Sequence, residues 1–316
     1  MNNLLEVSHL DVGYGKTTIV RDARFAVQKG EILGIVGESG SGKSTLLKAI
    51  MQLDDTGVTV QSGRISFQGQ NLTSLSNEEK RAFRGNKMGV VFQNPGSSLN
   101  PLRRVKKQFI ETMQSHVKID KKTAESRILE LLEKLNLQDG QRILNSYPYE
   151  LSGGMNQRIA LALAMIKEPE LLLADEPTSA LDVTVQAQVV EEMLKLRDRF
   201  GTSIVMITHN MGIVSKMADK IAVMYAGRIV EYGEKAEVIK NHCHPYTRAL
   251  LEAIPRLDGK RPVGLPGRPP TFHEVKCGCG FASRCIHGCE QCKTREQQLI
   301  PVAENHWSCC SHALGV

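Results

Sequence analysis

The stretch GESGSGKST, from Gly37 to Thr45, gathers three glycines around one lysine and several hydroxyls. Gly37, Gly42, Lys43 and Ser44 stand at the spacing of a nucleotide phosphate loop. Glycine lets the backbone wrap close to an anion with its N–H groups turned inward. In such a loop Lys43 reaches the β and γ phosphates and Ser44 ligates Mg²⁺, while Ser39, Gly40 and Thr45 complete the cradle. A chance glycine-rich turn lacks the flanking strand and helix that this stretch has on either side.

A second stretch has similar chemistry. YELSGGMNQR, from Tyr149 to Arg158, sets Ser152, Gly153 and Gly154 ahead of a helical pattern, which is how a phosphate-binding helix N-terminus reads. Further on, LLLADEP places Asp175 and Glu176 at the end of a buried apolar run. In open α/β sheets ligands bind at the carboxyl ends of strands, and adjacent acids there are costly without a task. Asp175 suits water-mediated Mg²⁺ binding, and Glu176 suits polarising an attacking water. His209 ends another such run, SIVMITHN, where a neutral imidazole could bond the γ-phosphate or the water. Gln93 follows the apolar Gly89 to Phe92 and could sense Mg²⁺ and the γ-phosphate. Read alone, His209 and Gln93 are ordinary structural residues.

The elements that must position these groups follow from the patterning. Leu4 to Leu10 and Arg64 to Phe67 show partial period-two alternation. Ile32 to Val36 reads as a strand buried on both faces, leading through the phosphate loop into the helical pattern Leu46, Leu47, Ile50, Met51. From about Asn77 to Tyr149 the texture is helical, with Ile128, Leu131, Leu132 and Leu135 on one helix face. Leu171 to Ala174 reads as a strand, Val185 to Phe200 as an amphipathic helix stopped by Gly201, and IAVMYAGRIVEYG as a hairpin turning at Ala226-Gly227. Strands alternating with helices predict an α/β core with a mostly parallel sheet. From about Glu234 the chain turns Pro- and Cys-rich, the pattern of a small appended domain.

Composition sets the bounds. The 316 residues are 41% hydrophobic and 23% charged with a formal net charge of +6, ordinary for a soluble globular chain. The mild excess of positive charge suits an anionic ligand or a membrane-adjacent surface, and equally an ordinary solvated one. No apolar run reaches the roughly 18 residues of a membrane span, and MNNLLEVSHL lacks the layout of a signal peptide, so a cytosolic location is expected. Of eight cysteines only Cys243 lies outside the last forty residues, and such clustering in a cytosolic chain points to metal before disulfides.

Taken together, GESGSGKST, Gln93 in VVFQNP, LSGGM, LLLADEP, SALD and His209 in MITHN resemble the ATP-binding subunits of ABC transporters, in that family's order over about residues 4 to 235. The resemblance implies a P-loop ATPase core (1–235) with an antiparallel β subdomain and a helical subdomain (about 77–154), followed by a Cys-rich extension (236–316). It implies two such subunits packed head to tail, each ATP held between the phosphate loop of one and the LSGGM of the other. Ser152, Gly153 and Gly154 would then bind the γ-phosphate of the partner's ATP, with Asp182 on the same interface and Tyr14 stacked on adenine. By the same resemblance Glu176 and His209 would be the catalytic pair, and Ser44, Gln93 and Asp175 would surround Mg²⁺. Asn156 and Asn210 depart from the family pattern, where a basic residue and an acid are common. Only about a hundred residues separate the phosphate loop from LSGGM, without a heptad run, and only one ATPase unit is present. Soluble repair and translation relatives differ on these points, and no nucleic-acid partner is expected.

The tail narrows the resemblance. HPYTRALLEAIP, GLPGRPP and the cysteines are similar to the C-terminal region of importers for oligopeptides, dipeptides and nickel. This implies a second homologous ATPase subunit, two membrane permeases, an external binding protein and a peripheral place on the cytoplasmic membrane face. The resemblance does not choose among these substrates; the expected cargo is peptide, with nickel or a metal chelate as the alternative. Cys279 and Cys285 are separated by five residues, Cys285 and Cys292 by six, and Cys310 follows after seventeen more. The resemblance implies that these four hold a [4Fe–4S] cluster, with zinc as the alternative, since both take thiolates. Cys277, Cys289 and Cys309 lie close enough to replace a ligand.

Overall fold

Every residue of the strand Ile32–Val36 is buried, because hydrocarbon covers both of its faces. In the computed structural model, which describes residues 3–53, 56–94, 98–115, 118–179, 181–254, 264–275 and 277–310, the chain forms two compact units. One combines Met1–Ser74 with Ile207–Val316, and the other is Leu75–Met206. Pro95, Ala180 and Pro255, members of three of the quoted motifs, lie outside the described residues.

In the first unit Ile32–Val36 runs parallel to Lys220–Tyr225, which turns back as the antiparallel strand Arg228–Glu234. At the turn Ala226 and Gly227 both have positive φ, 45° and 84°, the conformation that suits a tight hairpin to the twist of its strands. A Cβ on Gly227 would stand 2.0 Å from the Ile19 carbonyl oxygen, so glycine is required there. A second, antiparallel sheet orders Thr17–Val27, Leu5–Tyr14, Val58–Phe67 and Gln70–Asn71 side by side. Leu5, Val7, Leu10 and Val12 are buried. The slip from odd to even numbering coincides with a register shift between Val7 and Leu10, as a bulge produces. That slip explains why the sequence alternation marks only parts of these strands. Thr17–Val27, whose apolar residues are irregularly spaced, leaves no such mark.

The C-terminal segment extends this unit instead of standing apart from it. His306–Ser308 pairs antiparallel with Arg228–Glu234, and Ile300–Ala303 pairs with His306–Ser308. Strands of three and four residues are too short to show alternation, which is why 236–316 reads along the sequence as an appended domain. Helices Lys235–Lys240, Pro245–Glu252 and Glu290–Thr294 complete the described part of it.

In the second unit Met88–Val91 runs parallel to Leu171–Asp175, whose other neighbour is the strand that begins at Ser203. Met88–Val91 interrupts the stretch 77–154 that reads as helical, since a four-residue apolar run does not distinguish strand from helix. Several of the surrounding helices start on side-chain caps. Ser76 and Glu79 form a reciprocal capping box on Asn77–Asn86, and Asp120 caps Lys121–Lys134. Ile128, Leu131, Leu132 and Leu135 are buried together, as their spacing requires. No helix among the described residues is long and apolar enough to cross a membrane.

Candidate functional site

The phosphate-loop residues all lie in the first unit. Gly40 and Gly42 have positive φ, 77° and 100°, which bends the chain into the N-terminus of the helix Lys43–Ile50. Gly37 is needed for packing as well, because a Cβ there would lie 2.1 Å from the Met224 carbonyl oxygen. Lys43 is buried at 5% exposure. Its Nζ donates to the carbonyl oxygens of Gly37 and Glu38, each at 2.8 Å, and to Ser41 Oγ at 3.3 Å. The ammonium is thus folded back on its own loop, where burial without such acceptors would be costly. Ser39, Gly40 and Ser44 are exposed and Thr45 is half-buried, so the outer surface of the loop presents hydroxyls and backbone to solvent.

Tyr14 ends the strand Leu5–Tyr14 and is 39% exposed, one of few large exposed rings. His209 is exposed directly after Ser203–Thr208. Asn210, which departs from the sequence pattern, caps the next helix: its Oδ1 accepts from Gly212 N–H at 2.9 Å and Ile213 N–H at 3.3 Å. Asparagine and aspartate cap equally well, so this departure leaves the local structure intact.

The remaining candidates lie in the second unit. Asp175 closes the strand Leu171–Asp175, and Glu176 follows with φ 45°, a conformation that non-glycine residues adopt at a cost. The neighbouring parallel strand delivers Gln93 to the same edge. Gln93 Nε2 donates to Glu176 Oε2 at 3.2 Å, so the structure joins two residues 83 positions apart. Local patterning carried no sign of that pairing.

Ser152 is the N-cap of the helix Gly153–Met165, with Oγ accepting from Met155 N–H at 3.3 Å. Ser152 and Gly153 are exposed, and a Cβ on Gly153 would meet nothing within 4 Å. Asp182 likewise caps Val183–Phe200, accepting from Val185 N–H at 3.0 Å. A Cβ on Gly154 would lie 3.2 Å from Val185 Cγ1, so the two capped helix starts are close together. Both present the positive end of a helix dipole at the surface, the arrangement that attracts anions. Asn156, the other departure, donates through Nδ2 to the Pro148 carbonyl oxygen at 2.9 Å.

None of the eight cysteines is in a disulfide. Cys279 lies near Cys285, Cys292 and Cys310, and Cys292 and Cys289 have their sulfurs 3.5 Å apart. Burial pushes the Cys279 thiol up to about 11 and Cys309 up to about 12. Cys309 Sγ donates to the Ile229 carbonyl oxygen at 3.2 Å, which occupies it in the strand layer. Elsewhere, Glu231, Cys243 and His306 bring three ligand-type atoms within 4.8 Å of one another, a tighter group than any the cysteine cluster forms among the described residues. The Glu231 carboxylate there already accepts from Cys243 N–H at 2.7 Å and His244 N–H at 3.0 Å, and bonds His306 Nε2 at 2.8 Å. This buried hub ties the tail strand to the sheet.

The sequence profile of the ABC transporter family matches residues 20–179, slightly more than half of the chain, and includes the nucleotide-site candidates except Tyr14, Asp182 and His209. The chain belongs to the ABC transporter family. A second profile, the C-terminal region of oligopeptide/dipeptide transporters, matches residues 230–292, which include Cys279, Cys285 and Cys292. This ABC ATPase is 42% identical over 299 residues to OppD, an oligopeptide transport ATP-binding protein of Haemophilus influenzae, covering 93% of this chain and 92% of the relative. It is 43% identical over 288 residues to DppD, a dipeptide transport ATP-binding protein of Lactococcus lactis subsp. cremoris, covering 89% and 82%. Among solved structures, cbiO1 from Clostridium perfringens, part of the ABC transporter complex cbiONQ, matches with a TM-score of 0.67 and 25% identity over 77% of this chain and 93% of that one. The ATP-binding cassette MJ0796, in a dimeric post-hydrolysis state bound to ADP and Pi, matches with a TM-score of 0.65 and 26% identity over 73% and 98%. The α/β fold with an antiparallel sheet and the ATP-hydrolysing activity expected from the motifs are both borne out by this membership.

Proposed function

We propose that this ATPase is the motor of a peptide importer. The observation that carries the proposal is the 42% identity to an oligopeptide transport subunit across nearly the whole of both chains, tail included. In this reading Lys43, Ser44 and the loop from Gly37 to Thr45 hold the phosphates and Mg²⁺, with Ser39, Gly40 and Gly42 lending backbone or hydroxyl groups. Tyr14 stacks on adenine. Asp175 holds Mg²⁺ through water, Gln93 senses it, Glu176 polarises the attacking water, and His209 bonds the γ-phosphate. Ser152, Gly153, Gly154 and Asp182 face the ATP of a second, homologous subunit, so that ATP draws the pair closed.

Two permease subunits in the membrane receive that motion through the helical part of the second unit, and an external binding protein delivers the peptide. The chain itself sits peripherally on the cytoplasmic face. The domain limits 1–235 and 236–316 mark functions, motor and tail, instead of compact units.

The tail is read as holding a [4Fe–4S] cluster through Cys279, Cys285, Cys292 and Cys310, with zinc as the alternative. In favour of this reading, Cys279 lies near Cys285, Cys292 and Cys310, none of the four is in a disulfide, and the Cys309 sulfur is turned to the Ile229 carbonyl. Sulfurs around several irons stand farther apart than those around one ion, in keeping with their looser grouping. Such a cluster would supply a structural staple for a segment poor in apolar residues.

The test is to purify the full chain from its native membrane and identify what accompanies it by mass spectrometry. A homologous ATPase, two permeases and peptide-stimulated ATP hydrolysis are expected. Co-purification with soluble partners alone, and hydrolysis indifferent to peptide, would overturn the importer reading.

A further inference from the structure

The mechanism gives no role to Glu38, the residue after Gly37, although it places a carboxylate within the phosphate loop itself. An acid there opposes the binding of a polyanion unless its charge is compensated. The structure compensates it from the cysteine segment. Arg284, next to Cys285, donates through Nη1 to Glu38 Oε2 at 2.7 Å and through Nη2 to Oε1 at 3.1 Å, a two-pronged pair of the kind a guanidinium forms with a carboxylate.

Glu38 is also held along its backbone. Its N–H donates to the Tyr246 hydroxyl at 2.9 Å, and its carbonyl oxygen receives Lys43 Nζ at 2.8 Å. Arg284 is itself fixed on every side. Nη1 also donates to the Tyr225 hydroxyl at 3.0 Å, and Nε to the Pro266 carbonyl oxygen at 2.7 Å. Its guanidinium carbon lies 5.8 Å from the Tyr225 ring centre and 6.0 Å from that of Phe281. Tyr225, Tyr246 and Phe281 pack against one another behind it, with ring centres 4.5 to 5.4 Å apart. An arginine only 9% exposed and aimed by so many contacts sets a carboxylate position; a solvated surface pair does not need this support.

We propose that Arg284 is a positioning residue for nucleotide binding, through which the cysteine segment neutralises Glu38 and fixes the first turn of the phosphate loop. The inference rests on the loop from Gly37 to Thr45 being the nucleotide site. Without Arg284 the loop keeps Lys43 but carries an uncompensated carboxylate, so affinity for MgATP falls while the chemistry at saturation does not.

The test measures MgATP binding and steady-state hydrolysis of the full chain, with its partner subunit, for the wild type, Arg284→Gln, Arg284→Lys and Glu38→Gln/Arg284→Gln. Arg284→Gln is expected to raise Kd and KM about tenfold, equivalent to about 1.4 kcal/mol, with kcat held. Arg284→Lys regains part of the loss, since it returns the charge without the two-pronged geometry. The double variant regains most of it, because both charges are then gone. A purely structural role predicts lower melting temperatures with unchanged KM and no rescue in the double variant, and that pattern overturns the inference. Should Arg284→Gln fail to fold, the lysine and double variants decide: KM near wild type in the double and raised in the lysine supports it, and equal weakness in both refutes it. A wild-type chain that does not bind MgATP overturns the loop assignment and this inference with it, whereas normal wild-type binding alongside normal Arg284→Gln binding sinks only the inference.

Discussion

Replacing Glu176 with glutamine separates chemistry from folding at the position proposed to polarise water. Both residues have the same length and branching, and both bear the same strain at φ 45°, so the backbone term cancels. The bond from Gln93 Nε2 at 3.2 Å is retained, since an amide oxygen also accepts. What changes is the acceptor's charge. A hydrogen bond to a charged group contributes about 1.5–3 kcal/mol and a neutral one about 0.5–1.5, so the folding cost is about 1 kcal/mol, and less for a bond open to solvent. Removal of a general base instead costs roughly 10²–10⁴ in rate, or about 3–5 kcal/mol of barrier. The kinetic loss therefore exceeds the stability loss several-fold. The assay is phosphate release at saturating MgATP from the chain with its partner subunit, with melting temperature and nucleotide affinity measured in parallel. A folded variant that binds MgATP and barely hydrolyses it is expected. Turnover close to wild type would falsify the role of Glu176, as would a loss of turnover that tracks a loss of binding.

Other expectations concern the interface and the tail. Ser152→Arg gives up a helix cap worth about 1 kcal/mol but meets no crowding at its exposed site. ATP binding to the isolated chain should persist while ATP-dependent dimerisation, followed by light scattering, is lost; undiminished dimers would remove Ser152 from the interface. Anaerobically purified protein should be brown and contain iron, and Cys310→Ser should abolish the colour while Cys309→Ser, whose sulfur faces Ile229, should not. Colourless protein with stoichiometric zinc would replace the cluster with zinc, and protein with neither metal would reject the site.

The parts of this molecule legible in the sequence are those encoded by neighbours along the chain. Ile32–Val36, the Ala226-Gly227 hairpin and the Ile128 to Leu135 face appear where the patterns place them, because burial and turn chemistry act over a few residues. The helix Val183–Phe200 begins two residues earlier than its apolar pattern, where Asp182 supplies the cap. What the sequence hides is pairing at a distance. Gln93 meets Glu176 across 83 positions and Arg284 meets Glu38 across 246, and no local period encodes either. The tail strands stay hidden for a related reason: their order comes from the edge of Arg228–Glu234, which the chain reaches only after some seventy intervening residues.

Gly153 bears on what lies beyond this chain. Gly153 is the first residue of its helix, where glycine costs less than the roughly 1 kcal/mol of a helix interior and still gives up a side chain. Among the described residues neither backbone conformation nor packing calls for glycine there. Its φ is not in the left-handed region, and a Cβ would meet nothing within 4 Å. Gly37 and Gly227 differ, since their own fold forbids a side chain. Gly154 stands between these cases, with Val185 at 3.2 Å from a Cβ. In the proposed function the need at Gly153 is external: a group of the partner approaches the exposed backbone too closely for a methyl group. Beside it stand a serine hydroxyl and the positive end of a thirteen-residue helix, so the approaching group is an anion. The phosphate loop of this chain already has its own lysine and cradle. In the proposed function, a second phosphate site with no lysine of its own and a surface open to solvent serves as one half of a shared site, and the other half belongs to a second subunit.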